Sequence, residues 1–408
     1  MSNTQKKNVP ELRFPGFEGE WEEKQFADFT KINQGLQIAI NERKTEYSPE
    51  LYFYITNEFL RPNSQTKYFI ENPPQSVIAN KEDILMTRTG NTGKVVTNVF
   101  GAFHNNFFKI KFDKNLYDRL FLVEVLNSSK IQNKILSLAG SSTIPDLKHS
   151  DFYSISSSYP LLREQQKIGK FFSKLDRQIE LEEQKLELLK QQKKGYMQKI
   201  FSQELRFKDE NGNDYPEWES KSIQEIFENK GGTALETEFN FDGNYKVISI
   251  GSYSINSTYN DQNIRVNKNK KTEKYILSKG DLAMVLNDKT KDGKIIGRSI
   301  FIDKDNQYIY NQRTERLIPF AENDNKFLWF LMNTDLIRNK IKGMMQGATQ
   351  VYINYSSIKL ISIQLPLLEE QQKIRGFLEV LSGITTEQLH KIDQLKERKK
   401  AFLQKMFI

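Results

Sequence analysis

Apolar residues at Ile168, Phe172, Leu175, Ile179, Leu186, Leu189, Tyr196 and Ile200 follow alternating three- and four-residue steps with polar interruptions, the seam of a long heptad helix. The seam recurs at Ile374, Leu378, Leu381, Ile392, Leu395, Phe402 and Met406, with Thr385 where the first copy has Ile179. Glu182 and Gln388, and likewise Lys193 and Lys399, interrupt the two copies at matching positions. Residues 160–201 and 366–407 align without a gap, sharing Pro160/Pro366, Glu164/Glu370, Gln165/Gln371, Ile168/Ile374 and Phe201/Phe407 among other pairs. Some forty helical residues span roughly 60 Å. Two such helices in one chain are expected to pack on each other about a pseudo-two-fold, as a rod carrying a globule at each end.

Between the seams the period changes. Short β-branched and aromatic runs at 51–56, 67–70, 76–79, 83–88, 94–100 and 106–112 predict strands, as do runs at 246–250, 274–278, 281–286, 294–302, 308–310 and 316–320. Residues 81–84 and 279–282 are expected to correspond, as are Gly93-Lys94 and Gly293-Lys294. Helical patterns over 116–140 and 327–347 each end on a glycine, Gly140 and Gly347, read as C-caps. Each half opens with Glu-Leu-Arg-Phe, at 11–14 and 204–207, followed by Trp21 or Trp218 and a short helix. Residues 1–10 are polar and expected to fray. The chain thus divides into β-rich domains at 1–159 and 204–365 and long helices at 160–203 and 366–408, an α+β architecture built as a repeat.

A length of 408 residues with 38% hydrophobic and 12% aromatic content can support two or three cores. Sixty Lys and Arg against 52 Asp and Glu leave a net charge of +8, which suits a polyanionic partner. The absence of cysteine excludes disulfides, thiolate zinc sites and cysteine nucleophiles, and three scattered histidines (His104, His149, His390) argue against an imidazole metal centre. No apolar run approaches the roughly 18 residues of a membrane span, and the N-terminus lacks the core of a signal peptide. A soluble, cytoplasmic protein without a membrane partner is expected.

Three stretches imitate catalytic motifs. Asn72-Pro73-Pro74-Gln75 has glutamine where an adenine methyltransferase carries an aromatic residue. The segment 89–94 lacks the spacing and the hydroxyl of a phosphate loop. Asp209, Asn211 and Asn213 open like a calcium loop, but Asp214 stands where glycine is needed and Ser220 where glutamate is needed. All three read better as turns, and no catalytic or metal-binding residue is assigned.

The binding inventory is richer. In the first domain Arg88, Asn91, Thr92, Lys94, His104, Asn105 and Asn106 fall in or near loops, interleaved with Phe103, Phe107 and Phe108. In the second, Lys268, Lys270, Lys271, Lys289, Lys291, Lys294, Arg298, Asn311, Gln312 and Arg313 do the same. Singly, each reads as a solvated loop residue. As clusters in both domains, these types favour DNA, since they read base edges or neutralise phosphates.

The ordered duplication resembles the specificity subunit of a type I restriction-modification system. The resemblance is carried by residues 159–168 and 365–374, with Pro-Leu-Leu-x-Glu-Gln-Gln-Lys-Ile in each, and by Gly140-Ser141-Ser142-Thr143 and Gly347-Ala348-Thr349-Gln350 before them. It implies two target-recognition domains joined by two antiparallel coiled-coil helices, reading the halves of a bipartite, asymmetric double-stranded DNA site across a fixed spacer. It also implies two modification subunits that methylate adenine N6, and restriction subunits that translocate and cut. S-adenosylmethionine, ATP and magnesium would belong to those partners, with no cofactor on this chain. A fused methyltransferase-nuclease partner, a coiled-coil protein adaptor, and a self-sufficient DNA methyltransferase or nuclease are the competing readings.

Overall fold

Two continuous helices, Leu162–Phe201 and Leu368–Met406, carry the repeated seams. The computed structural model describes residues 8–61, 64–140 and 143–408, so Ser141, Ser142 and most of the segment expected to fray lie outside the described residues. The chain forms two compact units. One ends at Gln184 and takes in Leu389–Ile408, and the other is Lys185–Gln388. Each long helix is therefore shared by both units, where the four-part division gave it a segment of its own.

Within the first unit the helical segments run antiparallel. Phe171 meets Phe402 at 5.2 Å between ring centroids, while further along Glu183 pairs with Lys396 and Glu182 with Lys391 at 2.6 and 2.5 Å. The seam residues Ile168, Phe172, Leu175, Ile179, Leu186, Ile374, Leu378, Ile392 and Leu395 are buried, whereas Leu189 and Leu381 are half-buried. They do not all face a helix. Ile168, Phe172, Leu175 and Met406 join the domain core around Trp21 and Phe121, and Ile200, Ile374 and Leu378 join the one around Trp218 and Phe327. The seam ends in a domain because the phenylalanine closing one helix docks beside the domain that starts the other. Phe407 lies 5.4 Å from Phe121, and Phe201 lies 5.7 Å from Phe327.

The repeated polar residues act as clamps. Glu164, buried, receives two hydrogen bonds from Arg13 at 2.7 Å, and Glu370 receives the same fork from Arg206 at 3.0 and 2.9 Å. Gln165 accepts from the Asp118 N–H and donates to the Pro160 carbonyl, as Gln371 does with Asp324 and Pro366. Asp118 and Asp324 are the N-caps of Arg119–Asn127 and Asn325–Met332, so the glutamines tie each long helix to a domain helix.

Lys193 and Lys399, alike in sequence, differ in surroundings. Lys399 pairs with Asp176 at 2.7 Å and with buried Glu124 at 3.2 Å. Lys193 instead lies 5.8 Å from the Phe330 ring centroid, and burial lowers its pKa. Burial pushes the Glu124 carboxyl up to about 7, opposed by Lys399 and assisted by Asp176. Folded Glu124 thus holds its proton more tightly than the unfolded chain. The stability this contributes is full below its ordinary value of 4.5 and is lost as pH rises through about 7. Glu124→Gln should flatten this fall in the pH profile of urea unfolding, and an unchanged slope would show that the group does not govern it.

Each unit holds two four-stranded sheets, the first of matching order in both units and the second differing in which edge carries its fourth strand. In the first unit one sheet runs Thr30–Gln34, Phe107–Phe112, Ile84–Thr87, Val95–Val96, and the other Tyr68–Ile70, Tyr52–Ile55, Gly101–Phe103, Ile78–Ala79. In the second unit the orders are Phe227–Gly231, Thr314–Pro319, Leu282–Val285, Ser299–Phe301 and Phe239–Asn240, Arg265–Val266, Tyr245–Ile248, Tyr308–Tyr310. Among the described residues each unit has one parallel strand pair, Tyr52–Ile55 with Gly101–Phe103 and Tyr245–Ile248 with Tyr308–Tyr310.

The correspondence of 81–84 with 279–282 holds. Asp83 accepts from the Asn80 N–H and Asp281 from the Ser278 N–H, each closing the turn into a buried strand, and each faces a cation, Lys109 or Arg316. Other expectations change. The run at 274–278 makes a short 3-10 turn and a single bridge from Ile276 to Ile309 in place of a strand. The second helical pattern ends at Gly343 with Met344 as its cap, leaving Gly347, at φ +100°, to form a later turn. The edge strands Thr30–Gln34 and Phe227–Gly231 went unpredicted because TKINQ and FENKG lack apolar alternation.

Candidate nucleic-acid interface

The first unit's candidate residues meet where strand Ile84–Thr87 ends. The Arg88 N–H donates to the Asn106 carbonyl at 2.7 Å, and the Arg88 carbonyl accepts from the Leu147 N–H at 2.8 Å. One residue therefore joins three segments: its own loop through Lys94, the hairpin tip at His104, Asn105 and Asn106, and the segment after Thr143. Strand Thr30–Gln34 adds a fourth, since the Leu36 N–H donates to the Phe103 carbonyl. A methyl group on Gly35 would stand 2.2 Å from that oxygen, so glycine is required by close approach.

The second unit repeats this frame. The Leu286 N–H donates to the Arg313 carbonyl, and the Leu286 carbonyl accepts from the Ile353 N–H, both at 2.9 Å. Gly232 takes the place of Gly35, 2.1 Å from the Asn311 carbonyl oxygen when a methyl is added. Gly93 donates to the Thr87 carbonyl as Gly297 does to the Val285 carbonyl, both at 2.8 Å and positive φ. The structural partner of Gly93-Lys94 is therefore Gly297-Arg298, which corrects the expected match to Gly293-Lys294. The loop is longer in the second unit, 287–296 against 89–92, and sequence offset alone could not reveal the insertion.

On this common backbone the side chains diverge. Arg88 pairs with Asp146 at 2.6 Å and lies over the Phe108 ring, while the equivalent positions in the second unit are Leu286 and Tyr352. Thr92 donates to the Pro145 carbonyl, and Asn91 and Lys94 are exposed. His104 is equivalent to Asn311. Burial and the neighbouring Arg43 push its pKa down to about 4, so near neutral pH its uncharged Nδ1 accepts the Asn106 N–H. Asn105 donates to Gln37, and its carbonyl accepts from Gln34.

In the second unit Asn311 is buried, accepting from the Leu235 N–H and donating to Glu236, which also accepts from Gln312 at 2.7 Å. These amides hold the Glu236 carboxyl below its usual range. Lys271 is tied to Glu238 and Thr237. Arg298, half-buried, donates to Ser257, and burial lowers its pKa. Lys270, Lys289, Lys291, Lys294 and Arg313 are exposed. Loop 235–238 thus links the lysines after Asn267 to the hairpin tip, so the second cluster also converges.

Sequence reasoning missed Gly35, Gly232, Gln37, Asp146 and Glu236, which hold the frame together. The only local signals were lone glycines after polar strands. The three motif imitations are turns. Loop 89–94 is a hairpin, Asn72 has φ +43° before its prolines, and the Asp209 carboxylate accepts the N–H groups of Asn211 and Asn213. Among the described residues no group of three or more His, Asp or Glu is placed to hold a metal, and no helix is long and apolar enough to cross a membrane.

A family model described as the type I restriction modification DNA specificity domain matches residues 18–191 and again 215–397. The type I restriction enzyme MjaVIII specificity subunit of Methanocaldococcus jannaschii is 26% identical over 410 residues, covering 97% of this chain and 93% of that protein. The crystal structure of the type I restriction-modification S subunit from M. genitalium aligns at a TM-score of 0.60 and 16% identity over 98% of this chain and 99% of that one. A chain from a study of assembly and conformational transition in a type I R-M system aligns at a TM-score of 0.58 and 14% identity over 97% and 98%. Both structures share the fold. With two family matches covering most of the chain, and two equivalent loop frames bearing different side chains, the chain belongs to the type I restriction-modification DNA specificity family and is a sequence-recognising specificity subunit.

Proposed function

We propose that the two units read different half-sites of one asymmetric, bipartite DNA target, with the bases between them left unread. The observation that carries this reading is the shared frame with divergent chemistry: Arg88 and Asp146 in one unit, Leu286 and Tyr352 in the other, on the same backbone hydrogen bonds. A guanidinium-carboxylate pair offers donors to base edges, whereas half-buried Leu286 and exposed Tyr352 present apolar surface suited to a thymine methyl, so equal sequences would not suit both. The exposed lysines 289, 291 and 294 would anchor phosphates. Because both long helices pass through both units, helix length would set the spacer.

On this reading the chain does no chemistry itself. Two modification subunits, using S-adenosylmethionine, would methylate adenine N6 in DNA that this chain selects, and restriction subunits, using ATP and magnesium, would translocate and cut. The structural neighbour described in terms of type I complex assembly supports partners of this kind. A modified adenine must leave the base stack, so this chain would grip the duplex on both sides of it.

Mapping methylated adenines in cells that express the chain with its modification subunit tests the reading. The expected result is one asymmetric two-part motif, and exchanging residues 1–159 for those of a differently specific relative should change one part only. A single continuous motif, or both parts changing together, would refute it. The purified chain alone should show no turnover with DNA and either S-adenosylmethionine or magnesium.

A further inference from the structure

Most non-glycine residues with left-handed backbone among the described residues are asparagines, whose short amide tolerates that conformation. Ser257 is held there by hydrogen bonds with Asn333 and Arg298, and Gln203 stands just past the end of a long helix. Arg313, at φ +69°, has neither excuse. Its side chain is exposed and makes no hydrogen bond or ion pair among the described residues, so nothing local offsets the strain.

The surroundings impose that conformation. The Arg313 carbonyl accepts from the Leu286 N–H at 2.9 Å, and the two preceding amides are tied to the Leu235–Glu238 turn, Asn311 through the Leu235 N–H and Gln312 through Glu236. The hairpin tip is thus clamped on both sides while the guanidinium is left free. The loop that starts at Leu286 carries Lys289, Lys291 and Lys294, all exposed. Flexible lysines suffice for phosphates, but a planar fork on a fixed backbone suits bidentate recognition. The same frame position in the first unit is Asn106, whose carbonyl accepts from the Arg88 N–H. Arginine and asparagine are the types that pair bidentately with guanine and adenine in the major groove.

We propose that Arg313 is the residue with which the second unit reads a guanine in its half-site, through the guanine O6 and N7 edge. This rests on the two-half-site reading above. The clamped tip fixes the backbone from which the fork reaches before DNA arrives, while the free guanidinium stays available to a base.

The full chain assembled with its modification subunits tests this, with binding measured across duplexes randomised in both half-sites. Wild type is expected to require G·C at one position of the second half-site. Arg313→Gly, which suits the positive φ, should lose that discrimination roughly 5- to 150-fold while keeping every other preference. Arg313→Asn, also compatible with the backbone, should move the preference at that position from guanine towards adenine. If Arg313→Gly retains the wild-type preference at every position, the proposal fails. It fails equally if binding weakens uniformly on all sequences with a shallower salt dependence, the mark of a phosphate contact. A wild-type complex that selects no bipartite site would bring down the two-half-site reading itself, an outcome distinct from an unchanged variant profile on a selected site.

Discussion

Replacing Arg206 by alanine is expected to destabilise the Lys185–Gln388 unit by about 3–5 kcal/mol, the range for removing one partner of a buried ion pair. The Glu370 side chain is 1% exposed and accepts two bonds from Arg206 and one, at 3.1 Å, from the Trp218 indole. Without Arg206 the carboxylate stays buried with the indole N–H as its main donor, and the Tyr215 and Pro216 carbonyls lose theirs. Glu370→Gln keeps an acceptor without the charge, so adding it to Arg206→Ala should recover part of the loss. Lysine should not substitute for Arg206, because one ammonium cannot reproduce the fork. Urea unfolding followed by tryptophan fluorescence measures the difference, and a loss under about 1 kcal/mol would mean that the pair is dispensable. The Arg13 to Glu164 pair should behave alike in the other unit.

Deleting one heptad from each long helix is expected to abolish methylation of the native site while leaving both half-site sequences unchanged. A heptad keeps the seam in register and removes about 10 Å of helix, equivalent to roughly three base pairs of duplex. On the proposed reading, duplexes with a correspondingly shorter spacer should restore activity. The expected loss at the original spacing approaches that of surrendering specific for non-specific binding, on the order of 10³-fold or more. Selection of sites from a library with variable spacers reads the effect directly. Recovery of the old spacer with altered half-sites would contradict a measuring role for the helices.

Much of this molecule is legible from residue order because its main determinants are local or repeated. A heptad seam reports a helical face that must be buried, wherever the partner comes from. Continuous buried runs such as ILMT at 84–87 report a strand covered on both sides. Glu164 and Glu370, spotted only as repeated letters, prove to be matched clamps, since each repeat needs the same bond between helix and domain. The edge strands were invisible because their polar residues are held by backbone pairing, which leaves no hydrophobic trace.

The candidate interface was legible only as composition. Arginine, asparagine and lysine in loops pointed to DNA, but their equivalence between units depends on backbone bonds between residues far apart in sequence, Arg88 with Leu147 and Leu286 with Ile353. That is why Gly293 was matched to Gly93 when Gly297 holds the place, and why Asn311 looked like a reader when its amide braces Leu235 and Glu236.

The sequence by itself determined the duplication, the two long helices, the alternating β-rich domains and the specificity-subunit family, because burial periodicity and repeated motifs are written in consecutive residues. The tertiary structure alone decided that each unit takes the start of one long helix and the end of the other, and which loops share a frame. It also decided which charged side chains are spent on internal clamps and which, like Arg313, are left free among the described residues. Those outcomes depend on desolvation and long-range hydrogen bonding, which exist only once distant segments have met.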